Sequence, residues 1–172
     1  MKTIYVITCS IRQERIGDSV AKFVMENIKT NHKVTQIDLK DWLMPYLDEG
    51  MPSASDSYET EGANDWAAKI NQADGFVFVT PEYNASIPAQ LKNNIDVIYD
   101  EWLEKSALIV SYSESKAGGA SAASRLKDIL ERLKMDLSEP VSFSGWGTDY
   151  DDKQTYRSEL TTSFEQFKSL LG

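Results

Sequence analysis

Short runs of β-branched and aromatic residues alternate along this chain with stretches whose apolar residues recur at helical spacing, and few folds accommodate that order. Thr3–Thr8 reads as a strand apolar enough to be covered on both faces. Val20, Phe23, Val24 and Ile28 then recur as on one face of a helix, with Lys and Glu between them. Val34–Leu39 is a weaker, alternating strand, and Gly75–Thr80 (GFVFVT) is the clearest strand in the chain. Pro88 opens a helix with Leu91, Ile95 and Ile98 as its apolar stripe. Ala107–Val110 is a fourth strand, followed by a helix that turns Leu126, Ile129, Leu130 and Leu133 inward. Val141–Phe143 supplies a fifth strand, and Phe164, Phe167, Leu170 and Leu171 a closing helix. The order predicts one α/β domain over residues 1–172, with a parallel sheet wrapped by helices on both sides. Residues 41–64 break the pattern with Pro45, Gly50, Pro52 and Gly62, and read as a loop near the site mouth or a subunit contact.

Charge and rare residues then remove whole classes of function. The 27 acidic against 18 basic side chains leave a formal charge of −9, which repels phosphate backbones and argues against nucleic-acid binding. No apolar run approaches the ~20 residues of a membrane span, and no signal-peptide pattern is visible, so a cytoplasmic protein without a membrane partner is expected. The single cysteine, Cys9, excludes an internal disulfide and suits a reducing compartment. The single histidine, His32, lies in a polar stretch without a G-x-S-x-G elbow, and reads as a surface turn residue rather than a catalytic base. One Cys and one His cannot make a zinc site.

An open parallel sheet binds ligands beyond the carboxyl ends of its strands, so the loops after strands one, three and four carry the chemistry. The first, Cys9–Gly17 (CSIRQERIG), leads into a helix whose N-terminal N–H groups suit a phosphate, with Ser10, Arg12 and Arg15 as further donors. An ordinary turn with two surface arginines is the alternative, since Glu14 and Asp18 offset their charge. The loop is neither G-x-G-x-x-G nor a Walker A sequence. The second runs from Thr80 to Asp96 with Pro81 and Pro88 stiffening it, Asn84 able to match the edge of a pyrimidine-like ring, and Tyr83 offering an aromatic wall. Ser86 as a helix cap is the plainer reading. The third, Ser111–Ala120, places Gly118 and Gly119 at a helix start, where either a close ligand or a hinge would account for them.

Together the segments CSIRQERIGDSVAKFV, PEYNASIPAQLKNNID, DEWLEKSALIVSY and AGGASAASRLKDIL resemble the NADPH-dependent FMN reductase family, over roughly residues 3–135. That resemblance implies a flavodoxin-like three-layer sandwich with a five-stranded parallel sheet of order 2-1-3-4-5. It further implies that Ser10, Arg12, Arg15 and Gly17 hold the FMN phosphate, that Pro81, Glu82, Tyr83 and Asn84 line the isoalloxazine, and that Ser113, Gly118 and Gly119 close the other side. The chain departs from the family in having Cys9 and Ser113 where glycines are usual. The resemblance implies that NADPH or NADH is the co-substrate, a soluble acceptor (a flavin, quinone, azo compound or metal oxyanion) is reduced by a ping-pong mechanism, and a homodimer or dimer of dimers forms. No protein side chain is then needed as nucleophile or base, because the cofactor carries the reaction. An FMN-binding electron-transfer or regulatory module without nicotinamide turnover remains the alternative. A phospho-aspartate receiver fails, because Cys9-Ser10 and Thr80-Pro81 stand where it needs acids.

Overall fold

In the computed structural model, which describes residues 1–48 and 58–172, the apolar runs assemble as a sheet between two layers of helices. In chain order the elements are β1 (Thr3–Thr8), α1 (Gly17–Asn27), β2 (Lys33–Asp38), α2 (Ala63–Asn71), β3 (Gly75–Pro81), α3 (Ala89–Asp96), β4 (Ser106–Ser113), α4 (Ala120–Arg132), β5 (Asp136–Leu137), β6 (Val141–Ser144) and α5 (Lys153–Leu170). The pairs are parallel throughout, in the order β2-β1-β3-β4-β5, and β6 also lies along β4. This is the expected flavodoxin-like architecture.

Side chains that alternate along each strand divide between two cores. Tyr5, Ile7, Phe76, Phe78, Ala107 and Ile109 face α2, α3 and α4. Ile4, Val6, Val77, Val79, Leu108 and Val110 face α1 and α5. With every strand-centre residue of β1, β3 and β4 buried, these three strands have no wet face, which is why they read as continuous apolar runs.

Three details refine the sequence reading. The fifth strand is interrupted: Asp136–Leu137 pairs with the start of β4 and Val141–Ser144 with its end, while Pro140, which has no N–H to give the ladder, lies between. Helix α2 is additional, since Ala63, Trp66, Ala67 and Ile70 bury one face of a segment to which the sequence reading assigns no element. Pro88 is the residue that precedes α3 rather than its first member. His32 sits half-buried in the bend before β2, where its Nδ1 accepts from the Lys2 N–H at 3.3 Å.

The loop expectation for 41–64 falls partly on residues outside the described ones. Its first described part, residues 42–47, is tied to the fold by α3. The Asn93 side chain accepts from the Leu47 N–H and donates to the carbonyls of Met44 and Pro45. The neighbouring Asn94 amide donates to the Trp42 carbonyl at 2.8 Å.

Candidate functional site

Chain order reverses between β1 and β3: β1 is flanked by β2 on one side and β3 on the other, so the connections leave in opposite directions and open a crevice at the strands' carboxyl ends. A cavity of about 250 Å³ occupies that place. It is lined by residues 10 and 12–16 of the first loop, by Pro81, Glu82 and Tyr83, and by Tyr112, Ser113 and Glu114. The three loops singled out from the sequence therefore meet at one site.

The first loop is built on a buried floor. Cys9 continues the sheet, its N–H donating to the Val79 carbonyl, and its thiol is wholly buried against the Ile7 carbonyl. Burial pushes that thiol well above its ordinary value, so Cys9 is a packing residue rather than a reactive thiol. The buried Ser10 hydroxyl lies 2.6 Å from the hydroxyl of Tyr83, which locks the first loop to the third-strand loop. Beyond it α1 begins at Gly17 with Ile16 at its cap position, and no side chain caps its first turn. The first N–H groups of α1, which follow directly on the cavity-lining Ile16, thus have no side-chain acceptor.

The two arginines have different employments. Arg15 has a side chain only 4% exposed, and its guanidinium grips Asp38 at the end of β2 with both terminal nitrogens, the Asp18 carboxylate through Nε at 2.8 Å, and the Ser10 carbonyl. Burial alone would raise the Asp38 carboxyl, but the Arg15 hydrogen bonds and charge hold it below the usual carboxylate value. Arg12, by contrast, is exposed and has no ion pair among the described residues; its guanidinium lies over the Tyr83 ring, 5.5 Å from the centroid. Arg12 is the cation at this cavity left free for an anion, and Arg15 shapes the loop that presents it.

The loop after β3 closes on itself. Tyr83 and Ser86 exchange two backbone hydrogen bonds, and the residues between them, Asn84 and Ala85, both have positive φ (51° and 59°), the pattern of a type I′ turn. Asn84 tolerates that conformation well, and Ala85 does so at a cost of roughly 1–2 kcal/mol. Asn84 is exposed at the turn tip, outside the cavity lining. Ser86 thus pairs within the turn and caps no helix. Glu82 reaches across to the third loop, where its carboxylate accepts from the Ser121 N–H in the first turn of α4 at 3.0 Å.

In the loop after β4, Ser113 lines the cavity while its hydroxyl bonds Ser115. Gly118 and Gly119 do not reach the cavity lining. Both have positive φ, and a Cβ would meet Ser144 and Ser142 at the first and the Tyr112 backbone at the second. Protein packing therefore accounts for these glycines. Gly17 is likewise set by packing, because a Cβ there would run into the Tyr112 hydroxyl. Gln13, Ile16, Tyr112 and Glu114 line the cavity without having been singled out from the sequence; Tyr112, as part of an apolar strand, gives no signal distinguishing it from core.

A profile of the NADPH-dependent FMN reductase family matches residues 2–145. The chain belongs to that family. An NAD(P)H-dependent FMN reductase of Schizosaccharomyces pombe is 45% identical over 139 residues, covering 78% of this chain and 68% of the relative. A second from Saccharomyces cerevisiae is 34% identical over 145 residues, covering 77% and 75%. A quinone reductase of Pseudomonas putida aligns along 95% of this chain and 89% of its own at 26% identity. Among solved structures, the NAD(P)H:acceptor oxidoreductase FerB of Paracoccus denitrificans superposes with a TM-score of 0.73 at 22% identity, covering 97% of this chain and 99% of its own, which shows the shared fold.

Proposed function

We propose that this member of the family is an FMN-dependent NAD(P)H oxidoreductase whose cavity at the β1/β3 crevice holds the flavin. The observation that carries the reading is the unpaired Arg12 beside an uncapped α1 N-terminus, a cationic and hydrogen-bonding setting for a phosphate monoester. Ser10 adds a hydroxyl at the floor, and Pro81, Glu82, Tyr83 and Ser113 supply walls for a flat ring. FMN held there would supply the hydride chemistry that links NAD(P)H to a soluble acceptor such as a quinone, flavin, azo compound or metal oxyanion. Release of the nicotinamide before the acceptor enters gives ping-pong kinetics. The side chains position and exclude; Arg12 and the α1 N-terminus hold the anion while the type I′ turn keeps Tyr83 in place.

A cavity of about 250 Å³ falls below the roughly 300–1,000 Å³ typical of small-molecule sites, so the ring extends beyond it along the loop surface. Exposed Leu43, Tyr46, Leu47 and Tyr99 lie on segments held along or just after α3 and offer an apolar surface for a second copy. A homodimer, or a dimer of dimers, is the assembly proposed from them. Sedimentation as a monomer at micromolar concentration would reject it.

An electron-transfer module is favoured by one feature, the acidic residues Glu14, Glu82 and Glu114 around the cavity, which suit a basic protein partner. One spectrum separates the two readings. Purified protein is mixed with FMN, desalted, and then treated with NADPH or NADH without oxygen. Retained visible flavin bands that bleach establish the reductase, bands that persist with both nicotinamides support the module, and absence of retained flavin rejects both.

A further inference from the structure

Tyr112, at the penultimate position of β4 and only 2% exposed, carries a hydroxyl with no hydrogen-bond partner among the described residues. Buried hydroxyls are nearly always satisfied, so an orphan on a residue that lines the cavity calls for an occupant. The other orphaned atoms of the described residues, on Trp102, Ser138 and Asp151, belong to no residue lining this cavity.

The position of the hydroxyl is defined by Gly17, the first residue of α1, where a Cβ would collide with it. It therefore lies against a helix end that no side chain caps. The titratable groups around it are already engaged. Cys9 bonds the Ile7 carbonyl, Tyr83 bonds Ser10, and Arg15 and Asp18 bond each other. Burial pushes the phenol well above its ordinary value, so it stays a neutral O–H donor that an anion does not repel.

We propose that Tyr112 is a ligand of the FMN phosphate, its O–H donating to a phosphate oxygen beside the N-terminal N–H groups of α1. The inference rests on the FMN reading above and adds a donor from β4 to the groups of the first loop. It also explains the glycine at position 17, which leaves room for the tyrosine to cross the helix end.

The test is Tyr112→Phe, which keeps the ring in its packing and deletes only the hydroxyl. Dissociation constants for FMN and for riboflavin, which lacks the phosphate, are measured by flavin fluorescence. The melting temperature of the ligand-free protein is measured with and without inorganic phosphate. The expected result is an FMN affinity about 10- to 150-fold weaker, as for a lost hydrogen bond to a charged group. Riboflavin affinity stays unchanged, ligand-free melting is unchanged or higher, and phosphate raises the melting temperature of the wild type more than that of the variant. Equal FMN affinity in both proteins overturns the proposal while leaving the FMN reading intact. Parallel loss of FMN and riboflavin, or a ligand-free variant that melts lower or fails to fold, also overturns it, because the hydroxyl then serves the ring or the protein. A wild type that binds no FMN sinks the reading beneath it, whichever way the phosphate comparison falls.

Discussion

The hydroxyls of Ser10 and Tyr83 lie 2.6 Å apart although the residues are 73 positions apart in the chain. Ser10 is wholly buried, and this bond satisfies its hydroxyl while tying the loop after β1 to the turn after β3. Tyr83→Phe keeps the ring beneath Arg12 and removes the bond. The ligand-free protein should lose about 0.5–1.5 kcal/mol of stability, the usual net value of such a bond. Urea unfolding checks it, and an unchanged midpoint would show that the longer contact of the Ser10 hydroxyl with the Arg12 N–H, at 3.4 Å, is enough to hold the loop.

Arg12 and Arg15 should separate binding from folding. Arg12→Ala is expected to weaken FMN binding by about 1.5–3 kcal/mol while moving unfolding by less than about 0.5 kcal/mol, as for an exposed side chain. Arg15→Ala strips Asp38 of the guanidinium that holds it and should cost about 2–4 kcal/mol of stability, somewhat less than a fully buried pair because Asp38 is partly exposed. Equilibrium titration with FMN and chemical denaturation, run on both variants, give the comparison. If Arg15→Ala unfolds like the wild type, the pair with Asp38 is not holding the loop.

The same pair sets an acid dependence. Burial alone would raise the Asp38 carboxyl, but the Arg15 hydrogen bonds and charge outweigh it and lower it in the folded protein. The unfolded chain titrates near 3.9, so the stabilisation is complete above that value and is lost as the pH falls through the lower, folded value. Asp38→Asn should therefore be less stable at pH 7 and show a flatter decline on acidification below about pH 4. Denaturant midpoints across an acid series, compared with the wild type, decide it; parallel curves would place the titrating group elsewhere.

Two glycines with the same φ, +78°, have very different surroundings. A Cβ at Gly147 meets nothing within 4 Å, whereas one at Gly119 falls 3.0 Å from both the N and the O of Tyr112. Gly147→Ala should cost about 1–2 kcal/mol for the left-handed backbone alone. Gly119→Ala should cost at least about 1 kcal/mol more, since backbone atoms of a central strand cannot move aside. Thermal unfolding of both variants measures the difference, and equal losses would show that the loop shifts to make room.

Much of this architecture is written locally. The runs at 3–8, 75–80 and 107–110 could only be strands buried on both faces, and the helical stripes between them require crossovers, so a wrapped parallel sheet follows from periodicity. The loops that carry the site could be located for the same reason, because ligands sit beyond strand ends. Helix α2 was missed although Ala63, Trp66, Ala67 and Ile70 stand at helical spacing, because two of the four are small alanines and the stripe follows a stretch rich in turn residues. The break in the last strand was not legible, since Pro140 divides pairing along β4 that only the assembled sheet reveals.

The residue types in the three loops, and their order, are properties of the chain and named both the family and the crevice. Their employment is not. Arg12 and Arg15 look alike as letters, but Asp38, 23 residues from Arg15, takes one guanidinium and leaves the other. Gly118 and Gly119 look like a ligand approach until β4 and β6 are seen against them, and Tyr112 looks like core until α1 is seen to leave its hydroxyl without a partner. Periodicity is a local consequence of burial, so it can be read from one segment. Which charge is paired and which donor is free depends on distances between segments far apart in the chain, and those exist only once the sheet has brought its strand ends together.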